Sequence, residues 1–179
     1  DGSTTRGEVE VDVEQSQGRR VSRIWLEPEV NIHPAAAAAI PTFDAVIIGP
    51  GSFYTSLVPI LLPNGVREAV AAVDGPIVLV TNLLTEGRGM KGFTVAAAVT
   101  RIGEAIGRRV DVVIVNTGNP GDESLARYAA EHKEPLPVGD VPDGCEVVTG
   151  EFWRGEFARH ARRRLAYAVW GVLSQRLLR

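Results

Sequence analysis

The stretch Gly49-Pro50-Gly51-Ser52-Phe53-Tyr54-Thr55-Ser56 combines two glycines with the hydroxyls of Ser52, Thr55 and Ser56, directly after the apolar run Ala45-Val46-Ile47-Ile48. Glycines let a backbone approach a ligand closely and adopt positive φ. Amides entering a following helix, together with those hydroxyls, make a set of donors suited to phosphate oxygens. The alternative is an ordinary tight turn with a Ser or Thr helix cap, and spacing alone leaves both open. The Lys of a Walker loop and the third glycine of a dinucleotide fingerprint are missing, so neither of those motifs fits.

Two further segments end apolar runs with polar residues. Leu84-Thr85-Glu86-Gly87-Arg88-Gly89-Met90-Lys91-Gly92-Phe93 carries three glycines and two cations, the composition of a mobile loop able to fold over an anionic ligand, or of a flexible surface connection. Asn82 and Asn116 close the runs Ile77 to Val80 and Val110 to Val115. Their carboxamides suit a base or sugar hydroxyl, although asparagine also serves as a plain turn former.

Other chemistries find less support. His33, His132 and His160 are far apart and have no cysteine or histidine at zinc-ligand spacing, so no metal site is expected. Ser52 lacks His and Asp partners in a hydrolase-like order, and no catalytic residue is assigned. Cys145, among Pro142, Asp143 and Gly144, reads as a non-catalytic thiol. Trp153, Phe157 and Trp170, at helical spacing, read as core rather than as a base-stacking platform.

The elements that must position these residues follow from periodicity. Glu8 to Val13 alternates acidic and apolar residues, Gln15 to Gly18 is a turn, and Val21 to Leu26 alternates again, which predicts an N-terminal β-hairpin. Pro34 to Ile40 predicts a short helix with proline in its first turn. Three continuous apolar runs, Ala45 to Ile48, Ile77 to Val80 and Val110 to Val115, read as strands covered on both faces. Helical patterns lie between them at Val66 to Val73 and Thr94 to Ile106, and another follows at Glu123 to His132. The chain closes on a helix with Leu165, Val169, Val172 and Leu173 on one face. The expected fold is α/β, a Rossmann-like three-layer arrangement with a mainly parallel sheet, plus the N-terminal hairpin and the C-terminal helix. In such a sheet ligands bind beyond the carboxyl ends of the strands, where the polar segments above fall.

Composition agrees with one α/β domain or part-domain over residues 1–179, 45% hydrophobic and 23% charged. A single cysteine favours a reducing compartment, and no apolar run approaches the roughly 20 residues that cross a bilayer. A cytoplasmic protein without a membrane or nucleic-acid partner is expected. Residues 152–179 hold seven arginines against one acid, while the whole chain has a net charge of −3. That basic stretch reads as a solvated helix face, with partner docking as the alternative.

At the glycine loop the sequence resembles a known family. Asp44 through Pro59, containing Gly49-Pro50-Gly51-Ser52-Phe53-Tyr54-Thr55-Ser56, looks like the signature of the gluconeogenesis-factor family, which is related to the 2-phospho-L-lactate transferases of deazaflavin-cofactor synthesis. Asp1-Gly2 with Gly7-Glu8, Ile24-Trp25-Leu26-Glu27-Pro28, Val78 through Thr85, and Arg159-His160 followed by Leu165-Ala166 extend the likeness along nearly the whole chain. The Gly-Ser-aromatic-Tyr-Thr-Ser form points to the factor branch, whereas Pro59-Ile60-Leu61 is nearer the transferase pattern. The family's Thr-Gln-Pro-Gly-Glu-Thr loop is replaced here by Thr85-Glu86-Gly87-Arg88-Gly89-Met90. The family's glycine-rich first half has no counterpart, so the chain resembles a C-terminal half.

The resemblance implies a regulator that binds a nucleotide diphosphate or a nucleotide sugar of the UDP-N-acetylglucosamine type, acts in carbon-flux and cell-shape control, and is a homodimer in its full-length form. The binding residues it implies are Gly49, Gly51, Ser52, Tyr54, Thr55, Ser56, Asn82, Thr85 and Asn116. One alternative is a transferase moving a phospholactyl group from a guanosine diphosphate ester to a deazaflavin, with Mg²⁺ as its cofactor. The other is a non-catalytic piece that docks a partner through its basic C-terminal helix.

Overall fold

A computed structural model describes residues 2–11 and 20–178. Four strands, β1 (Val46–Ile48), β2 (Ile77–Val80), β3 (Val112–Asn116) and β4 (Glu146–Gly150), form one parallel sheet in the order β1-β2-β3-β4. The register aligns Val46 with Ile77, Val78 with Val112, and Val112 with Glu146. Pleating sends alternate side chains to opposite faces. Ile77, Leu79, Val113 and Val115 pack on one side with Phe53, Val70, Val95, Ile102 and Ile106. Val78, Val80, Val112 and Ile114 pack on the other with Phe152, Trp153 and Val172. The result is the three-layer α/β arrangement expected from the sequence.

From residue 34 on, the α-helices among the described residues are α1 (Pro34–Ala39), α2 (Val58–Leu61), α3 (Val66–Ala71), α4 (Val95–Ile106), α5 (Asp122–Ala130) and α6 (Arg162–Leu177). A π-helical turn, Phe53–Leu57, leads into α2. Local chemistry sets the ends of α4. Thr94 caps its start, accepting the Ala97 amide at 3.1 Å, and Gly107 ends it in the left-handed region at φ 71°. Asp111 ties the amino ends of β2 and β3 together. Its carboxylate accepts the Ile77 amide at 2.9 Å and pairs with Arg108 and Arg109 at 3.1 and 3.3 Å.

Several expectations need correction. Residues 8–11 form a helical turn rather than a strand, and Val21 to Leu26 is not in a strand; the rest of the expected hairpin, at residues 12–19, lies outside the described residues. The antiparallel pair that the structure does hold is β5 (Trp153–Arg154) with β6 (Phe157–His160), near the other end of the chain. The run at Ala45 to Ile48 is not covered on both faces, because β1 is an edge strand and Ile47 is 47% exposed. The fourth strand is absent from the sequence reading because β4, also at an edge, is mostly open to solvent and shows no apolar run. Trp153, Phe157 and Trp170 do not share a helix face. Trp153 is buried on β5, while Phe157 and Trp170 are 61% and 67% exposed.

Candidate functional site at the strand ends

The loop after β1 is held in a conformation that only glycine suits. Gly49 has φ 82°, and a Cβ there would lie 2.6 Å from the Val80 carbonyl oxygen. The Gly49–Pro50 peptide is cis. Asn82, just past β2, then fixes the loop. Its Nδ2 donates to the Gly51 carbonyl at 3.0 Å, and its Oδ1 accepts the Gly51 amide at 3.2 Å. Two adjacent strand ends are therefore joined by one carboxamide.

Beyond this clasp, the Phe53 amide points at a carboxylate. Both oxygens of Glu86 accept from it, at 3.0 and 3.1 Å, and Asn82 Nδ2 also donates to Glu86 Oε1 at 2.7 Å. The Ser52 carbonyl accepts the amides of Ser56 and Leu57, both at 2.9 Å, which starts the π-helical turn. Thr55 Oγ1 is buried with no hydrogen-bond partner among the described residues.

The remaining expected residues divide between the crevice and its scaffold. Tyr54 is buried, with its ring edge-on to Phe53 at 5.0 Å and Arg101 over its face at 5.6 Å. Burial raises its phenol pKa above the ordinary value, and the Arg101 charge opposes that rise. Thr85 is 2% exposed, and its hydroxyl accepts the Glu134 amide at 3.0 Å. Asn116 turns its carboxamide onto its own loop and the start of the hairpin. Its Nδ2 donates to the Gly118 carbonyl at 2.9 Å, and its Oδ1 accepts the amides of Gly118 and Phe152 at 3.1 and 2.8 Å. Hydrogen bonds bring Gly51 and Asn82 together, with Gly49 and Ser52 beside Gly51 in the chain, whereas Tyr54 packs in the core, Thr85 bonds Glu134 and Asn116 bonds Gly118 and Phe152.

The glycine-rich loop lies packed down in this structure. Gly87 and Gly92, at φ 106° and 75°, flank a segment whose Met90 is buried, and Phe93 follows in the core. The Arg88 guanidinium turns to the His132 imidazole. The space between Gly51, Phe53, Asn82, Met90 and Phe93 is a cavity of only about 20 Å³. A larger one, about 390 Å³, is lined by the 23–30 segment with Leu62 and Asn64 and includes no strand-end residue.

Glu86 and His160 went unassigned in the sequence. His160 is half-buried on β6, opposite Trp153, and hydrogen-bonds the backbone of Thr81, the residue before Asn82. Burial lowers its pKa below the ordinary histidine value, and the Thr81 bond partly offsets this. Its only sequence signal was the Arg159-His160 motif, whose position beside β2 depends on the hairpin. Glu86 had a fainter signal, a carboxylate four residues after Asn82. Among the described residues no three His, Cys, Asp or Glu side chains gather where a metal ion could be held, so these residues offer no cage for Mg²⁺.

Residues 1–153 match the family profile described as 2-phospho-L-lactate transferase CofD. The chain belongs to the CofD family. Within it, the chain is 32% identical to the gluconeogenesis factor of Listeria monocytogenes over 177 residues, covering 97% of this chain and 54% of that protein. It is 27% identical to the Bacillus subtilis gluconeogenesis factor over 183 residues, covering 98% of this chain and 56% of that protein. The crystal structure of protein BH3568 from Bacillus halodurans superimposes with a TM-score of 0.82 at 26% identity, over 94% of this chain and 56% of that one. This CofD-family chain thus spans about half the length of the curated relatives it matches. Among its described residues no helix is long and apolar enough to cross a membrane.

Proposed function

We propose that the crevice beyond β1 and β2 binds the diphosphate of a nucleotide sugar of the UDP-N-acetylglucosamine type, and that the protein is a regulator of carbon flux and cell shape akin to the gluconeogenesis factors. The observation that carries this reading is the Phe53 amide, held toward an anionic group by a loop that Asn82 clasps at Gly51. A preset amide at the start of a helical segment suits a phosphate oxygen. Gly49, Gly51, Ser52, Thr55 and Ser56 supply the phosphate side, and Asn82 keeps it in place. Tyr54, Thr85 and Asn116 act from behind, as packing and anchoring groups. His160 sits at the backbone of Thr81, the residue before Asn82. Full-length protein would act as a cytoplasmic homodimer.

The second reading, favoured by the family description, is transfer of a phospholactyl group from a guanosine diphosphate ester. It needs positioning and charge neutralisation, with groups beyond those described here. Calorimetric titration of UDP-N-acetylglucosamine and of GDP, each with Mg²⁺, separates the two. Uridine-selective binding supports the regulator. Guanosine selectivity with turnover supports the transferase. Binding of neither, in this chain and in one extended to the length of its relatives, ends the nucleotide reading.

A further inference from the structure

The anion facing the Phe53 amide belongs to the protein itself, and from this we infer that Glu86 is a built-in competitor of the ligand's phosphate, which binds by displacing the Glu86 carboxylate from Phe53. The inference rests on the nucleotide reading and adds a control to that site.

The geometry is specific. Both Glu86 oxygens accept from one amide at 3.0 and 3.1 Å, and Asn82, the residue that clasps Gly51, holds one of them at 2.7 Å. Two strand-end groups, the Phe53 amide and the Asn82 carboxamide, thus converge on one carboxylate. The two carboxylate oxygens already share the amide's one hydrogen, and a phosphate oxygen brought to the same amide would be a second anion in contact with the first, which repels it. The cavity beside the pair is about 20 Å³, too small to hold a phosphate group. The residue after it is Gly87, at φ 106° and ψ −168°, where the absence of a Cβ leaves the backbone free to turn and carry the side chain outward. Leaving would also free Asn82 Nδ2 from Glu86 while its Gly51 bond persists. The site then favours ligands with enough charge to outcompete a carboxylate, a diphosphate over a monophosphate.

The test compares the full chain with its Glu86→Gln variant, titrated with uridine 5′-diphosphate and guanosine 5′-diphosphate by calorimetry. Glutamine keeps the length and an acceptor but removes the charge, so the variant should bind about tenfold tighter, the difference between a charge-assisted and a neutral hydrogen bond. Glu86→Ala should shift binding the same way and serves if the amide variant misfolds. Equal or weaker binding by both variants, with circular dichroism unchanged, overturns the inference and leaves the nucleotide reading standing. Silence of wild type and variants toward both diphosphates removes the two together.

Discussion

Asn82, just past the carboxyl end of β2, grips Gly51 in the loop after β1 through both atoms of its carboxamide, at 3.0 and 3.2 Å. Two loops that meet only because β1 and β2 are neighbours become one surface. Asn82→Ala removes both bonds and the contact to Glu86. The expected cost is about 1–2 kcal/mol of stability, since each part-buried bond contributes about 1 kcal/mol. Diphosphate affinity should fall at least tenfold, because the loop loses its preset shape. Urea denaturation and calorimetry measure the two effects separately, and unchanged affinity would show that the loop holds its shape unaided.

Gly49 tolerates no side chain. With φ 82° and a Cβ position 2.6 Å from the Val80 carbonyl, Gly49→Ala should cost about 2 kcal/mol or more, since strain and a backbone clash act together. At Gly51 the Cβ position is only 3.2 Å from Leu57 Cδ2, so Gly51→Trp should displace the π-helical turn and abolish ligand binding. A Gly51→Trp protein that binds as well as wild type would remove the loop from the site.

Asn116 predicts a different outcome. Its bonds go to Gly118 and Phe152, which anchor the β5–β6 hairpin to the end of β3. Asn116→Ala leaves the Phe152 amide unpaired and should destabilise the protein by about 1–3 kcal/mol. Hydrogen exchange should speed up first in residues 152–160, including His160. If exchange there stays at the wild-type rate, the anchor lies elsewhere.

His160 supplies a pH dependence. Its folded pKa is lowered, chiefly by burial, so below about pH 6.5 the unfolded chain binds more protons than the folded one. Stability therefore falls as pH drops through that window, down to the folded pKa, and is unaffected by this group above it. Thermal melts from pH 7.5 to 5 should show the decline, and His160→Gln should flatten it. An identical slope in the variant would assign the decline to other groups.

Asp111 stands apart from the crevice, at the opposite ends of β2 and β3. Asp111→Ala strands the Ile77 amide and Arg108, with an expected loss of about 3 kcal/mol. Diphosphate affinity, measured below the melting transition, should not change. A large change in affinity would couple the two ends of the sheet.

What could be read without coordinates was local or periodic. Ile77 to Val80 and Val112 to Val115 are apolar at every position because both faces of a central strand are covered, and that pattern is visible in any order of strands. Thr94 and Gly107 announce the ends of α4 because capping acts within one turn. The glycine loop was legible because close backbone approach needs glycine wherever it occurs. Strand neighbours and facing directions are properties of the whole fold, and local chemistry does not carry them. Edge position decided that Ile47 is exposed and that Glu146 to Gly150 pairs with β3 despite lacking an apolar run. Packing sent Tyr54 into the core, and Asn116 toward the hairpin that carries His160. Only the meeting of loops distant in sequence placed the Glu86 carboxylate on Phe53, 33 residues away along the chain, because that contact depends on two neighbouring parallel strands ending side by side.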